Sequence, residues 1–259
     1  AEQPVDEAQA AYDAVLQNNE GIAALIRYAD LDGEGAAPEP PPDRLTLRAA
    51  GAPPQSVGVA VIGAGGFAKA FHLPNLGRIP GCHLEAVADR VGGVAKQAGD
   101  KFGARYCTTD YRAVLADDNV RAVIVATRHH LHPEIATAAA EAGKHVFVEK
   151  PLAITVEECE AIRGAVERAG VLLTVDFNRR FAPFSQAARR ALAGVQGPKM
   201  ILYRCNAGAI PRTHWAVDPV EGGGRIVGEA VHFYDLCCWM LDADPVAVTA
   251  DRIDSAGAG

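Results

Sequence analysis

From Val57 onward the chain alternates between short apolar runs and longer amphipathic stretches. The runs are VGVAVIG (57–63), HLEAVAD (83–89), RAVIVAT (121–127), HVFVE (145–149) and VLLTVDF (171–177). Between them, segments at 65–78, 91–103, 110–117, 132–143 and 155–169 have helical spacing. Apolar runs without polar alternation suit strands buried on both faces. Strand–helix alternation with right-handed crossovers predicts an α/β fold, a parallel sheet covered by helices. After Phe177 the rhythm breaks. The pattern there predicts a helix over 182–193, a strand with polar alternation over 199–207 (KMILYRCNA), an irregular Pro/Gly segment over 208–224, a helix over 225–241 and a final β-like stretch over 245–253. This reads as the start of an α+β domain with an antiparallel sheet.

The first 56 residues follow a different plan. Ala8, Ala11, Tyr12 and Val15 share one face of a helix expected over 6–18, and IAALIRY (22–28) reads as an apolar strand. Between Leu31 and Ser56 fall six of the 16 prolines, which predicts a semi-extended linker. The organisation expected is a tail of an upstream domain over 1–30, a linker over 31–56, a nucleotide-binding domain over 57–176 and an α+β domain over 177–259. Residue 1 is Ala and the last residues are Ser-Ala-Gly-Ala-Gly, so the 259 residues read as a piece of a longer protein whose second domain is cut off.

Composition narrows the function classes. The net charge of −7 argues against a nucleic-acid binder held by a basic face. Hydrophobic residues at 49% supply a sizeable core. No apolar run approaches the roughly 18 residues of a membrane span, and no secretory signal opens the chain. The six cysteines form no CxxC pair, which suits small buried residues in a reducing cytoplasm. His129, His130 and His132 cluster, but further ligands at metal-site spacing are not evident, so no metal is expected.

The strongest local motif is Gly63-Ala64-Gly65-Gly66-Phe67-Ala68, a G-x-G-x-x-A between a strand and a helix. Gly63 allows the tight turn, Gly65 lets a pyrophosphate approach the backbone, and Ala68 lets helix and strand pack closely. Free N–H groups and the dipole at the helix start favour the phosphate charge. Asp89 ends the next strand, 26 residues after Gly63. Its carboxylate can accept from ribose hydroxyls and repels a 2′-phosphate, which favours NAD. Arg90 beside it can stack on adenine or meet that phosphate, which keeps NADP open. Further strand ends carry Thr127 with Arg128-His129-His130-Leu131-His132, and Glu149-Lys150-Pro151. Arg179 and Arg180 follow at the break between the two regions, where they can clamp a phosphate or carboxylate or begin a solvated helix. Glu229, His232 and Asp235 are spaced i, i+3, i+6 on a predicted helix, which puts two acids and an imidazole roughly along one side.

Together these segments resemble the glucose-fructose oxidoreductase / inositol dehydrogenase / MocA family over about 57–253. The resemblance rests on the glycine motif, the Thr127…His132 spacing, AGKHVFVEKP (142–151), FNRRFAP (177–183) and the GGG…H…D segment (222–235). It implies a Rossmann-type doubly wound sheet followed by a domain on an open, mainly antiparallel sheet. It also implies NAD(P)-linked oxidation or reduction of a sugar, cyclitol or sugar-nucleotide carbon. By position, Gly63, Gly65, Gly66, Phe67 and Ala68 would hold the pyrophosphate, and Asp89 and Arg90 the adenosine ribose region. Thr127 and His132 would line the cofactor cleft, and Glu149, Lys150 and Pro151 would meet the nicotinamide ribose and substrate, with Arg179 close by. Lys150 and His232 match the family's catalytic lysine and histidine.

One departure stands out. The family usually places an Asp four residues before that histidine, where this chain has Gly228 beside Glu229. Either Glu229 reaches in, or a different base serves, or catalysis has changed. The variant GGGRIVGEAVHF, with NAGAIPRTHWAVDP (206–219), resembles a subgroup fused behind a zinc-type medium-chain alcohol dehydrogenase domain. The family also implies a homo-oligomer packed through its open sheet. Two rival readings are a non-catalytic nucleotide- or sugar-binding partner of an upstream dehydrogenase, and an NAD-assisted glycoside-cleaving enzyme.

Overall fold

The computed structural model describes residues 2–4, 25–27, 44–48 and 56–251. The chain divides into two compact units, Ala1–Pro41 and Pro42–Gly259. In the first, β1 (Glu2–Pro4) pairs in parallel with β2 (Leu25–Arg27), which falls within the strand expected over 22–28. The helix expected over 6–18 lies outside the described residues.

The second unit is built on a seven-stranded sheet. Its strands are β3 (Arg44–Thr46), β4 (Val57–Ile62), β5 (Cys82–Ala88), β6 (Tyr106–Thr108), β7 (Ala122–Val125), β8 (His145–Val148) and β9 (Leu173–Val175). Their order is β3-β6-β5-β4-β7-β8-β9, parallel throughout except β3. The order reverses at β4, whose neighbours β5 and β7 lead into opposite halves of the sheet. Strand order of this kind leaves a crevice at the carboxyl ends of the strands beside the first one, where ligands bind.

The strands are central because their residues are apolar on both sides. Ala60 and Ile62 face one core with Ala86, Val123, Ile135 and Ile162, whereas Val59 and Val61 face the other with Leu73, Leu76, Val87 and Ala98. The covering helices fall where the spacing predicted them. A π-helical turn (Ala68–His72) runs into α1 (Leu73–Leu76), followed by α2 (Gly92–Phe102), α3 (Tyr111–Leu115), α4 (His132–Glu141) and α5 (Val156–Ala169). Thr155 and Glu158 form a capping box at the start of α5, which satisfies two otherwise unpaired N–H donors.

Two strands of this sheet were not expected. β6 has only three residues, too few for a periodic signal, although all three are buried. β3 lies in the segment read as linker. Leu45 pairs with Cys107 in the antiparallel register, and Leu47 fits where Gly99 has no side chain, since a Cβ there would lie 2.4 Å from Leu47 Cδ1. The Arg44 guanidinium lies 3.4 Å above the Tyr106 ring and 3.0 Å from Asp117 Oδ2. It also approaches Glu85, fully buried and held by Arg105 at 2.8 Å. Removing one partner from such a group leaves buried charge poorly compensated. Arg44→Met is expected to lower stability by about 2 kcal/mol in urea unfolding, and an unchanged midpoint would contradict the anchoring role.

After β9 come α6 (Pro183–Ala193) and α7 (Val231–Leu241), which pack together, with a second π-helical turn (Ile226–Ala230) leading into α7. The antiparallel sheet expected there is absent among the described residues. Residues 199–207 and 245–251 form no ladder. Strand pairing needs a neighbour with its own free N–H and C=O groups, and these stretches meet none. Their apolar side chains stay outside, with Met200 92% and Leu202 84% exposed. Among the described residues no helix is long and apolar enough to cross a membrane.

Candidate active site

A cavity of about 810 Å³ lies at the carboxyl ends of β4, β5, β7 and β8. Its floor is the glycine turn. Gly63 has φ +94°, and a Cβ there would sit 2.6 Å from the Ala126 carbonyl oxygen. Only glycine combines that backbone with that approach. Gly65 and Gly66 have nothing within 4 Å of a would-be Cβ, so their backbone faces open space. Phe67 and Ala68 both line the cavity, and Ala68 is also packed into the core beneath it. An open backbone at a helix start suits an anion, so these residues fit a dinucleotide's pyrophosphate.

Asp89 stands beside this turn. Its Oδ2 accepts from the Ala64 N–H and its Oδ1 from the Val91 N–H, both at 2.9 Å. The carboxylate is thereby fixed at the cavity wall next to exposed Arg90. Thr127 lines the opposite side. His132 does not line the cleft. It is fully buried, with Nδ1 2.7 Å from the Pro151 carbonyl and Nε2 3.2 Å from that of Thr127. The ring ties the loop after β7 to the loop after β8, and burial pulls its pKa down. Pro151 follows a cis peptide bond, is buried, and likewise stays out of the cavity.

Glu149, Lys150, Arg179, Glu229 and His232 converge on the far end. Lys150 Nζ donates to the Gly228 carbonyl at 2.9 Å. Burial lowers its pKa, and the charges of Glu149 and Glu229 oppose that shift only in part. His232 is 8% exposed, and its pKa is pushed down to about 4 by burial and then by Lys150 and Arg179. The imidazole is therefore neutral near pH 7. Among the described residues no group bonds its Nδ1. Arg179 donates to the Tyr203 hydroxyl at 2.8 Å and lies over the Phe233 ring.

Two acids expected beside His232 are engaged elsewhere. Glu229 is held by Arg225, whose Nε lies 2.9 Å from Oε2. Asp235 forms a two-point ion pair with Arg180, the Nε contact being 2.8 Å, and lies outside the cavity lining. An i, i+3, i+6 spacing aligns three side chains only on one regular helix. Glu229 and His232 both line the cavity across the junction of the π turn and α7, whereas Asp235, one turn further on, is drawn away by Arg180. Gly228 also has a packing reason. A Cβ there would lie 2.9 Å from His129 Cε1 and 3.3 Å from the Gly222 carbonyl oxygen. His129 occupies that space and bonds the Gly222 carbonyl through Nδ1 at 2.8 Å.

Several site residues escaped the sequence reasoning. Trp215 packs edge-on to His129, and Glu221 pairs with Arg128, which closes the irregular 208–224 segment over the cavity. His72 and Asp176 meet Glu149 behind Lys150. A tryptophan or aspartate in an irregular stretch carries no periodic signal, and His72 reads as one polar residue in a helix.

Residues 57–177 match the model of the oxidoreductase family with an NAD-binding Rossmann fold, the Gfo/Idh/MocA family. The match spans just under half of the chain. Among curated relatives, scyllo-inositol 2-dehydrogenase (NAD(+)) of Bacillus subtilis is 35% identical over 195 residues, 73% of this chain and 55% of the relative. Among solved structures, levoglucosan dehydrogenase with NADH and levoglucosan superposes with a TM-score of 0.64 at 31% identity, covering 72% of this chain and 54% of the other. A 3-ketoreductase from Actinomadura kijaniata, solved with NADP and TDP-benzene, gives a TM-score of 0.61 at 28% identity, covering 72% and 57%. The chain spans about half the length of the curated relatives it matches. The matched residues are those of the parallel sheet from β4 onward and of the glycine turn at its crevice.

Proposed function

We propose that the whole protein is an NAD(P)-dependent oxidoreductase acting on the alcohol or ketone of a sugar, cyclitol or sugar nucleotide. The observation that carries this reading is one cavity with two ends. At one end lie the open glycine turn and Asp89; at the other, Lys150 and neutral His232. The nicotinamide supplies hydride transfer at its C4. The chain's own residues bind and orient. Gly65, Gly66 and Phe67 receive the pyrophosphate, and Asp89 meets the adenosine ribose. Lys150 hydrogen-bonds the reacting oxygen and takes or returns its proton. Its lowered pKa and fixed contact with the Gly228 carbonyl suit both tasks. His232 offers a second neutral base at the same oxygen, and Glu229 adds negative charge beside Lys150.

Asp89 tests the cofactor half. Wild-type protein is expected to quench with NADH more tightly than with NADPH. Asp89→Ala is expected to weaken NADH about tenfold and narrow the preference. Failure to bind either nucleotide would overturn the cofactor reading.

A second reading, a nucleotide-binding partner without turnover, is favoured by Gly228 and by the unbonded Nδ1 of His232. A stable NADH complex with no hydride transfer to any polyol or sugar nucleotide would select it. The main reading includes a cytoplasmic protein, supported by six free cysteines. It also includes homo-oligomeric packing over the exposed Met200, Leu202 and Val248, and fusion behind a zinc-type alcohol dehydrogenase domain.

A further inference from the structure

Oxidation of an alcohol releases a proton as well as a hydride, and Lys150 is only partly exposed once it has taken that proton. Behind it, the structure groups three titratable side chains from three separate elements. His72 ends the first π-helical turn, Glu149 follows β8 and Asp176 follows β9. Their ligating atoms lie within 4.8 Å of one another. His72 Nε2 is 2.7 Å from Glu149 Oε1, and Asp176 hydrogen-bonds Glu149 as well. Glu149 Oε2 also accepts from the Lys150 N–H at 3.3 Å. Glu149 faces the main cavity. His72 and Asp176 instead face a second cavity of about 540 Å³, on the side of the sheet that carries Val59, Ile124 and Phe147. The cluster therefore lies between the two cavities, which Phe67 and Asn178 also border.

We propose that His72, Glu149 and Asp176 form the proton outlet of the active site, passing the proton from Lys150 to water in the second cavity. This rests on the dehydrogenase reading above. In the oxidation direction the substrate O–H bond breaks and its proton joins the neutral Lys150 amine as the hydride leaves carbon. The resulting ammonium, held at the Gly228 carbonyl, gives the proton through a bridging water to the Glu149 carboxylate. Glu149 shares it with Asp176 and His72, and it leaves to solvent; reduction runs the same path inward. The two carboxyls are suited to sharing one proton, because burial and the Glu149 charge raise Asp176 to about 6 while His72 holds Glu149 ionised. From the surrounding elements the cluster feels Lys150, His129, His132 and His232, and Arg179 and Glu229 act on Lys150. Two carboxylates in contact resist joint ionisation, which holds the Asp176 proton up to about pH 6.

The test uses the full-length protein with Asp176→Asn and His72→Gln. Infrared titration of the substrate-free protein should reveal a protonated-carboxyl stretch that disappears near pH 6 and is missing in Asp176→Asn. With substrate, both variants should lose roughly tenfold in kcat in dilute buffer. NADH affinity and substrate KM should hold, and added imidazole or formate should restore the rate. A purely structural role would not respond to buffer. Wild-type turnover in both variants, a loss indifferent to buffer, or a missing carboxyl band would overturn the outlet. Should Asp176→Asn fail to fold, His72→Gln carries the same kinetic reading. Absence of turnover in the wild type would instead overturn the dehydrogenase reading, and the outlet with it.

Discussion

Lys150→Met is expected to remove nearly all turnover and to leave NADH binding nearly intact. The side chains have similar length and both fit a half-buried site, so the substitution removes a proton donor and acceptor more than it removes packing. General acid–base groups contribute on the order of 10²–10⁴ in rate, and kcat should fall within that range while the NADH Kd changes less than about threefold. The pH profile gives a second handle. Burial lowers the Lys150 pKa, so the neutral amine that accepts the alcohol proton becomes populated below the pH expected of a free lysine. Alcohol oxidation should rise with pH through that lowered value, and the limb should vanish in Lys150→Met. Undiminished turnover in the variant would remove Lys150 from the chemistry.

Gly63→Ala should be the most disruptive single change in the cofactor half. The residue sits at φ +94°, and its added methyl would lie 2.6 Å from the Ala126 carbonyl oxygen and 2.9 Å from the Thr127 nitrogen. Both neighbours are backbone, so neither can rotate away. The Gly63 N–H is also tied to Ala88, and Ala126 to Ile62, which fixes both sides of the contact. Backbone strain alone costs about 1–3 kcal/mol, and relief of the clash must part β4 from β7. A loss of about 3 kcal/mol or more is expected in urea unfolding, together with loss of NADH binding. Gly65→Ala provides the contrast, because no atom lies within 4 Å of its Cβ position. It should fold normally and weaken only the nucleotide.

Much of the sheet was legible because its strands are buried on both faces. β4, β5, β7, β8 and β9 each read as an apolar run, and glycine or a cap bounded the helices between them. β6 was not legible because three residues cannot display a period. Arg44–Thr46 was hidden by the prolines around it, and its place depends on Glu85 and Asp117, distant in sequence. The antiparallel sheet failed for the opposite reason: KMILYRCNA has the right alternation, but alternation supplies no pairing partner. In the site, the glycine turn, Asp89, Thr127, Glu149 and Lys150 follow from position at strand ends, which a parallel sheet fixes. His132 and Asp235 carry equally polar side chains, yet carbonyl groups and Arg180 claim them. Only three-dimensional placement separates these from residues facing the cleft. Gly228 read as a missing acid, and the structure gives it a steric reason in His129.

The antiparallel strand β3 has a consequence for how the protein behaves outside its native state. It covers the outer hydrogen-bonding edge of β6, and Leu45 and Leu47 close the end of the sheet. An uncovered flat edge is a template for another chain's strand. A truncation beginning at Val57, where the nucleotide-binding pattern starts, would strip this cover and leave Tyr106, Cys107 and Thr108 as an open rim. Such a fragment would tend to self-associate through that rim into insoluble aggregates, so soluble expression should call for a start at or before Pro42.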